Sequence, residues 1–233
     1  MSLWLDMLGA TVRTLHTRNF GPVRVAEAGV GNPETVVFLH GIGGHLEAYA
    51  KNVVALGERF HTVAYDFLGH GLSAKPVLNY SPPLLVDHLN EVLDALGKRS
   101  AHLCGESLGG WVSGLFAAAH PERVQRLILN TAAGLPILGD KGRADLAALI
   151  DLSRKAATQG PPTHASILAR MQWLFLWTED NPVHDVETAR QSAAQVPGSQ
   201  LYVMRAPSAH WPQYEAPEEF NGVVERFLAD GVV

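Results

Sequence analysis

The stretch Leu103-Cys104-Gly105-Glu106-Ser107-Leu108-Gly109-Gly110 decides how this chain folds. It contains Gly-Glu-Ser-Leu-Gly, a G-x-S-x-G pattern that is short enough to recur by chance and takes its meaning from its flanks. Before it, Ala101-His102-Leu103-Cys104 reads as a short buried strand. After it, Leu108 to Ala119 reads as a helix rich in small apolar residues. Strand, sharp turn and helix form the setting in which a serine is held on a strained backbone with its hydroxyl presented. The glycines have a physical reason, since only residues without side chains let the strand and the helix approach so closely.

Working outward, the same alternation recurs. Thr35-Val36-Val37-Phe38-Leu39-His40 is an unbroken apolar run, the mark of a strand covered on both faces, and it breaks at Gly41-Ile42-Gly43-Gly44. A helix is expected over Ala48 to Leu56, a second buried strand over His61 to Asp66, and a helix over Leu84 to Leu96 that stops at Gly97. Beyond the serine, His120-Pro121-Glu122 ends the helix and Val124 to Asn130 makes the next strand. Leu174 to Trp177, Val186 to Gln195, Gln200 to Met204 and Pro217 to Ala229 read as strand, helix, strand and closing helix. At the start, Thr11 to Thr17 and Val23 to Ala28 alternate polar and apolar residues around Asn19-Phe20-Gly21-Pro22, which predicts a hairpin of edge strands. Strands alternating with helices imply an α/β fold with a mostly parallel, doubly wound sheet. Such sheets place their sites at the carboxyl ends of the strands, so the breaks after His40 and around Ser107 fall on one rim.

From Thr131 to Trp173 the pattern turns helical, over Ala144 to Ala157 and Ala165 to Leu174, around Gln159-Gly160-Pro161-Pro162. This predicts a core of residues 1–131 and 174–233 with an inserted lid over 132–173. The lid runs into the strand at Leu174 with no Gly, Pro or Asn between, which is abrupt for a helix entering a parallel sheet. A lid segment missing at about residues 173–175 is the expectation.

Bulk properties narrow the function. The formal charge is −5, charged residues make up 18% of the chain, and no basic block supports nucleic-acid binding. No apolar run reaches the ~18 residues of a membrane span. Met1 to Ala10 lacks the pattern of a signal peptide, so a cytoplasmic protein without a membrane partner is expected. Cys104 reads as a buried core thiol. There is no metal-ligand spacing or phosphate-binding loop, so no cofactor and no metal are expected. A small molecule is the expected partner, and self-association is left open.

A serine hydroxyl needs a neighbouring base to take its proton. Of the eleven histidines, His210 in Ala209-His210-Trp211-Pro212 is the one just after the last strand, on the rim where a loop can reach Ser107. His40 is expected to brace its turn.

Leu39-His40-Gly41-Ile42-Gly43-Gly44, Asp66-Phe67-Leu68-Gly69-His70-Gly71, Gly105-Glu106-Ser107-Leu108-Gly109-Gly110 and Ala209-His210-Trp211-Pro212, in this order and spacing, resemble the α/β-hydrolase superfamily. Within it, the Trp after the histidine, Gln213-Tyr214-Glu215 and Leu129-Asn130-Thr131-Ala132 resemble the meta-cleavage-product hydrolases, which cleave a carbon–carbon bond in ring-opened dienoates from aromatic degradation. The resemblance implies an α/β-hydrolase fold with a helical lid. It implies Ser107 as nucleophile, His210 as general base and acid, and an oxyanion hole from the backbone N–H groups of Ile42 and Leu108. Gly41, Gly43 and Trp211 are the implied substrate-binding residues. The acid departs from the pattern: the family usually reads Trp-Gly-x-x-Asp here, and counting from Trp177 puts Asn181 in the aspartate's place. Asp180 is the expected acid, with Asp185 second, and either could equally be a solvated loop carboxylate. Arg170 is the candidate for holding a substrate carboxylate. The alternatives to a carbon–carbon hydrolase are a carboxylesterase or lactonase with the same residues, or a non-catalytic ligand-binding member of the fold.

Overall fold

The computed structural model describes residues 3–135, 167, 171–196 and 198–233. Its strands are β1 (Thr11–Thr17), β2 (Gly21–Ala28), β3 (Thr35–Leu39), β4 (His61–Tyr65), β5 (Ala101–Glu106), β6 (Val124–Asn130), β7 (Gln172–Trp177) and β8 (Gln200–Val203). They form one 8-stranded sheet in the order β1-β2-β4-β3-β5-β6-β7-β8. β2 runs antiparallel to β1 and β4, and every other neighbouring pair is parallel. The expected mostly parallel α/β architecture is therefore the observed one.

The hairpin forms where the alternation places it, but only β1 is an edge strand. β2 lies between β1 and β4, and Val23 to Ala28 are all buried. Arg24 and Glu27 gave it the look of a solvated strand. Both are buried in ion pairs instead, Arg24 with Glu47 and Asp66, and Glu27 with Arg13 and His61. Paired charges can be covered in a way that unpaired ones cannot.

The helices are α1 (Leu3–Asp6), α2 (Ala50–Leu56), α3 (Pro82–Ala95), α4 (Leu108–Ala119), α5 (Val186–Gln195), α6 (Pro212–Glu215) and α7 (Pro217–Asp230). α3 starts two residues before the expected Leu84, because Pro82 occupies the first helical position and the Ser81 hydroxyl accepts the Leu84 N–H at 3.4 Å. α3, α4 and α5 cover one face of the sheet through Leu85, Leu89, Val112, Phe116 and Ala189. α2 and α7 cover the other through Val53, Leu56, Phe220, Val224 and Phe227. Phe220 and Phe227 are completely buried, and each contributes about 1.5–3 kcal/mol by leaving water. This two-sided burial makes the sheet a rigid platform for the loops at its carboxyl rim.

β7 begins at Gln172, where the end of a helix was expected. Gln172 and Trp173 pair with Arg126 and Leu127 of β6, and the Gln172 amide oxygen accepts from Arg126 at 2.5 Å. The remainder of the expected helix over Ala165 to Leu174 lies mostly outside the described residues. The same is true of the helix over Ala144 to Ala157, of most of the lid and of Arg170. Among the described residues, no helix is long and apolar enough to cross a membrane.

Candidate active site

Ser107 sits between the end of β5 and the start of α4 with φ 52° and ψ −114°, in the left-handed region where an L side chain is strained. Such strain costs about 1–3 kcal/mol and persists only where the surroundings impose it. They do so here through the backbone. The Ser107 N–H donates to the Asn130 carbonyl at 3.1 Å, and its carbonyl accepts from Trp111 at 3.1 Å and from Ala133 at 2.9 Å. A Cβ on Gly109 would overlap the Leu39 carbonyl oxygen, so the glycine lets α4 press against β3 and closes the turn. The serine side chain does not cap α4. Its hydroxyl is left free for chemistry.

Ser107 lines a cavity of about 520 Å³ whose walls also include Gly41, Ile42, Gly43, His210 and Trp211. Leu108 is the first residue of α4, so its N–H has no partner within the helix. Ile42 is largely exposed in the turn after β3. Among the described residues, neither N–H makes a hydrogen bond. Both candidate oxyanion donors are therefore unengaged.

Buried polar side chains hold the turn after β3. His40 donates from Nδ1 to the Gly41 carbonyl at 2.7 Å and accepts the Phe67 N–H on Nε2 at 3.0 Å, so the neutral ring clamps two rim loops together. This is the bracing role expected of it. Asp66 accepts the N–H groups of Leu46 at 2.8 Å and Leu72 at 2.7 Å, which explains the aspartate in the Asp66 to Gly71 segment.

Burial pushes His40, His88 and His102 down to about 4. In the unfolded chain they protonate near 6.5, so their contribution to stability is complete above pH 6.5 and is lost as pH falls towards 4. Each is worth about 3 kcal/mol at most. Glu106, raised by burial, works in the opposite direction, one group against three. The urea midpoint should therefore be clearly lower at pH 4.5 than at pH 7. Equal midpoints would contradict the assignment.

His210 is half-buried and reached by the loop after β8. The polar residues at the carboxyl ends of β6 and β7 pin that loop. Thr131 Oγ1 donates to the His210 carbonyl at 3.0 Å, and Thr178 Oγ1 donates to the Ala209 carbonyl at 2.6 Å. Asn130 Nδ2 donates to Gln213 Oε1 at 2.8 Å. Burial, together with the neighbouring His184, whose ring centroid is 5.2 Å away, keeps His210 below the ordinary histidine range. It is thus neutral at pH 7, as a base must be.

The carboxylates divide differently from expectation. Asp180 is exposed and makes no hydrogen bond to His210. The side chain of Asn181 turns the loop, its Oδ1 accepting the N–H groups of Val183 at 2.9 Å and His184 at 3.0 Å, and it is His184 that comes up to the His210 ring. Asp185 caps α5 by accepting the Glu187 N–H at 3.0 Å. The carboxylate beside the imidazole is Glu106, with Oε1 3.2 Å from His210 Nε2. Sequence reasoning missed Glu106, although a charged residue ending an otherwise apolar buried strand was the available signal. Cys104 is fully buried and its thiol is pushed up by burial, in keeping with a core role. Among the described residues, no group of three or more His, Cys, Asp or Glu could hold a metal ion.

The chain belongs to the alpha/beta hydrolase fold family, which residues 34–159, more than half its length, match. It is similar to 2-hydroxymuconate semialdehyde hydrolase of Pseudomonas sp. (strain CF600), at 27% identity over 255 residues covering 88% of this chain and 89% of the relative. That match runs over more residues than the 233 present here, so the relative carries residues without a counterpart in this chain. Among solved structures, a carboxylesterase from Bacillus subtilis superposes with a TM-score of 0.76 at 20% identity, covering 99% of this chain and 98% of that one. A meta-cleavage product hydrolase from Pseudomonas fluorescens IP01 superposes with a TM-score of 0.73 at 22% identity, covering 96% and 99%. At these identities the structural likenesses speak for the fold.

Proposed function

We propose that the protein is a cofactor-independent serine hydrolase in which Ser107 attacks a carbonyl and His210 takes and returns the proton. The N–H groups of Ile42 and Leu108 would hold the oxygen that becomes negative. The observation that carries this reading is the strained Ser107, whose hydroxyl caps no helix, in one cavity with His210 and Ile42 and followed directly by the unengaged N–H of Leu108. Preorganised donors of this kind are worth about 3–4 kcal/mol each in the transition state.

For the substrate, we propose a ring-fission 2-hydroxy-6-oxo-dienoate from aromatic degradation, cleaved at a carbon–carbon bond after the dienol ketonises. The similarity to 2-hydroxymuconate semialdehyde hydrolase across 88% of the chain supports this. The proposed division remains a core around an abridged lid inserted between β6 and β7, with the junction at Gln172, where β7 begins, in place of the expected 174. Ester hydrolysis is the second reading, favoured by the cavity wall. Its described residues include no Lys or Arg to receive the carboxylate of an anionic dienoate. Assaying a panel of coloured ring-fission dienoates beside p-nitrophenyl esters separates the two. Loss of dienoate colour with kcat/KM at least tenfold above that for any ester is the expected result, and hydrolysis of the esters alone would sink the carbon–carbon reading.

A further inference from the structure

We infer that Glu106 is the carboxylate that positions His210 and stabilises its protonated form, the role expected of Asp180. The inference rests on the serine-hydrolase reading above and adds a positioning residue to the same site.

The geometry carries it. Glu106 Oε1 lies 3.2 Å from His210 Nε2, and the Glu106 side chain is only 2% exposed. Other buried carboxylates among the described residues have a cation beside them: Glu27 has Arg13, while Glu47 and Asp66 share Arg24. Glu106 has no arginine or lysine partner, and its one ionisable partner is a histidine. A buried carboxylate without a permanent countercharge is costly, and in a cleft beside a histidine it is a candidate functional group. The neighbouring turn makes room for it. A Cβ on Gly41 would come within 2.5 Å of Glu106 Oε2, so glycine at this position is what allows the carboxyl group to lie against the turn.

The alternatives are engaged elsewhere or out of reach. Asp185 is used as a helix cap, and Asp180 stands in solvent without a bond to the ring. His184, facing His210 from the loop after β7, carries no negative charge to offer and lowers the proton affinity of its neighbour. Glu215 acts on His210 only through its charge, and its Oε2 accepts the Ala209 N–H at 2.5 Å.

The proton balance is simple. Glu106 Oε1 and His210 Nδ1 both lack a hydrogen-bond partner, and Oε1 stands 3.2 Å from Nε2 as a charge contact; the imidazole takes the Ser107 proton as the serine oxygen bonds to the substrate carbonyl carbon, and the imidazolium so formed lies against the Glu106 carboxylate. The imidazolium then gives that proton to the leaving group. Glu106 stays ionised and gains or loses nothing. Burial raises the Glu106 carboxyl to about 8, opposed by the Gly41 N–H, so the ionised form accumulates only as pH rises through that value. The groups facing it are His210, the Gly41 N–H and Tyr49, and burial pushes the Tyr49 phenol well above its ordinary range, so it stays neutral throughout.

The test is Glu106→Gln, which keeps the size and removes the charge, alongside Glu106→Asp and Asp180→Asn. The probe is p-nitrophenyl acetate, or the best substrate from the panel above. Wild-type kcat should rise through about pH 8. Glu106→Gln should lose that rise and about 10²- to 10⁴-fold in kcat, with KM changed less than threefold, and Glu106→Asp should restore part of the loss. Stability supplies the readout that a merely structural ion pair would not give. The contribution of the raised Glu106 carboxyl alone falls as pH rises from 4.5 towards 8, against the larger opposite trend of the histidines, so at pH 9 Glu106→Gln should have a higher urea midpoint than the wild type. A kcat for Glu106→Gln within threefold of wild type, or a loss of that size in Asp180→Asn alone, would overturn the inference. The failure is separable from that of the underlying reading, because a wild type whose Ser107 still reacts with a fluorophosphonate remains a serine hydrolase whatever Glu106 does.

Discussion

Ser107→Ala should leave the protein folded and reduce kcat on its preferred substrate by about 10³-fold or more, the scale of losing a nucleophile that a base activates. The fold should tolerate the change. The serine side chain is not a helix cap, and the backbone bonds that hold the turn, from Asn130, Trp111 and Ala133, do not use the hydroxyl. Steady-state kinetics with a parallel urea titration at pH 7 gives both quantities. Unchanged turnover in a folded variant would remove Ser107 from the chemistry. What remains in the variant would measure how much binding and the free N–H groups of Ile42 and Leu108 achieve without a nucleophile.

His210→Ala should cost about 10³- to 10⁴-fold in kcat. Its loop is anchored through backbone carbonyls, by Thr131 to His210 and by Thr178 to Ala209, so removing the imidazole leaves those anchors in place. The pH profile adds a signature. Burial and His184 hold the His210 ring below 6.5, so the neutral, basic form persists on the acid side of the ordinary histidine range. The limb that belongs to His210 should therefore lie below pH 6.5, beneath the rise through about pH 8 that Glu106 imposes on the wild type, and it should be seen alone in Glu106→Gln and be lost in His210→Ala. A Glu106→Gln profile whose acid limb stays above 6.5 would mean that a group other than His210 sets it.

The mostly parallel sheet, the succession of elements along the chain and the position of the elbow were legible in the sequence, for physical reasons. Strands buried on both faces, such as Val36 to Leu39, need continuous apolar residues, and the helices between them need an apolar stripe; both leave marks over many residues. β2 misled because alternation reports polarity and is blind to pairing. Arg24 and Glu27 look solvated until Glu47, Asp66 and Arg13, far off in sequence, are seen to neutralise them. The junction at Gln172 misled in the same way, since the ladder to Arg126 decides it and is invisible in a local window.

The candidate site divides along a similar line. Ser107, Gly41, Ile42 and Gly43 could be named because turns with short, glycine-rich signatures carry them, and His210 because it follows the last strand; all five line one cavity. The carboxylate could not be read from spacing. Asn181 stands at the expected distance after the strand and turns the loop on itself, its neighbour Asp180 is exposed, and the carboxylate nearest the imidazole comes from the residue before the serine. Likewise Asn130, Thr131 and Thr178 stand out in the sequence only as polar residues at strand ends, and their function appears when the His210 loop is found hanging from them.

The most direct measurement of the central claim is labelling of the folded protein with a fluorophosphonate probe, followed by peptide mass spectrometry. A covalent adduct on Ser107, lost in Ser107→Ala and formed far more slowly in His210→Ala, is the predicted result. A folded wild-type protein that carries no adduct on Ser107 would contradict it.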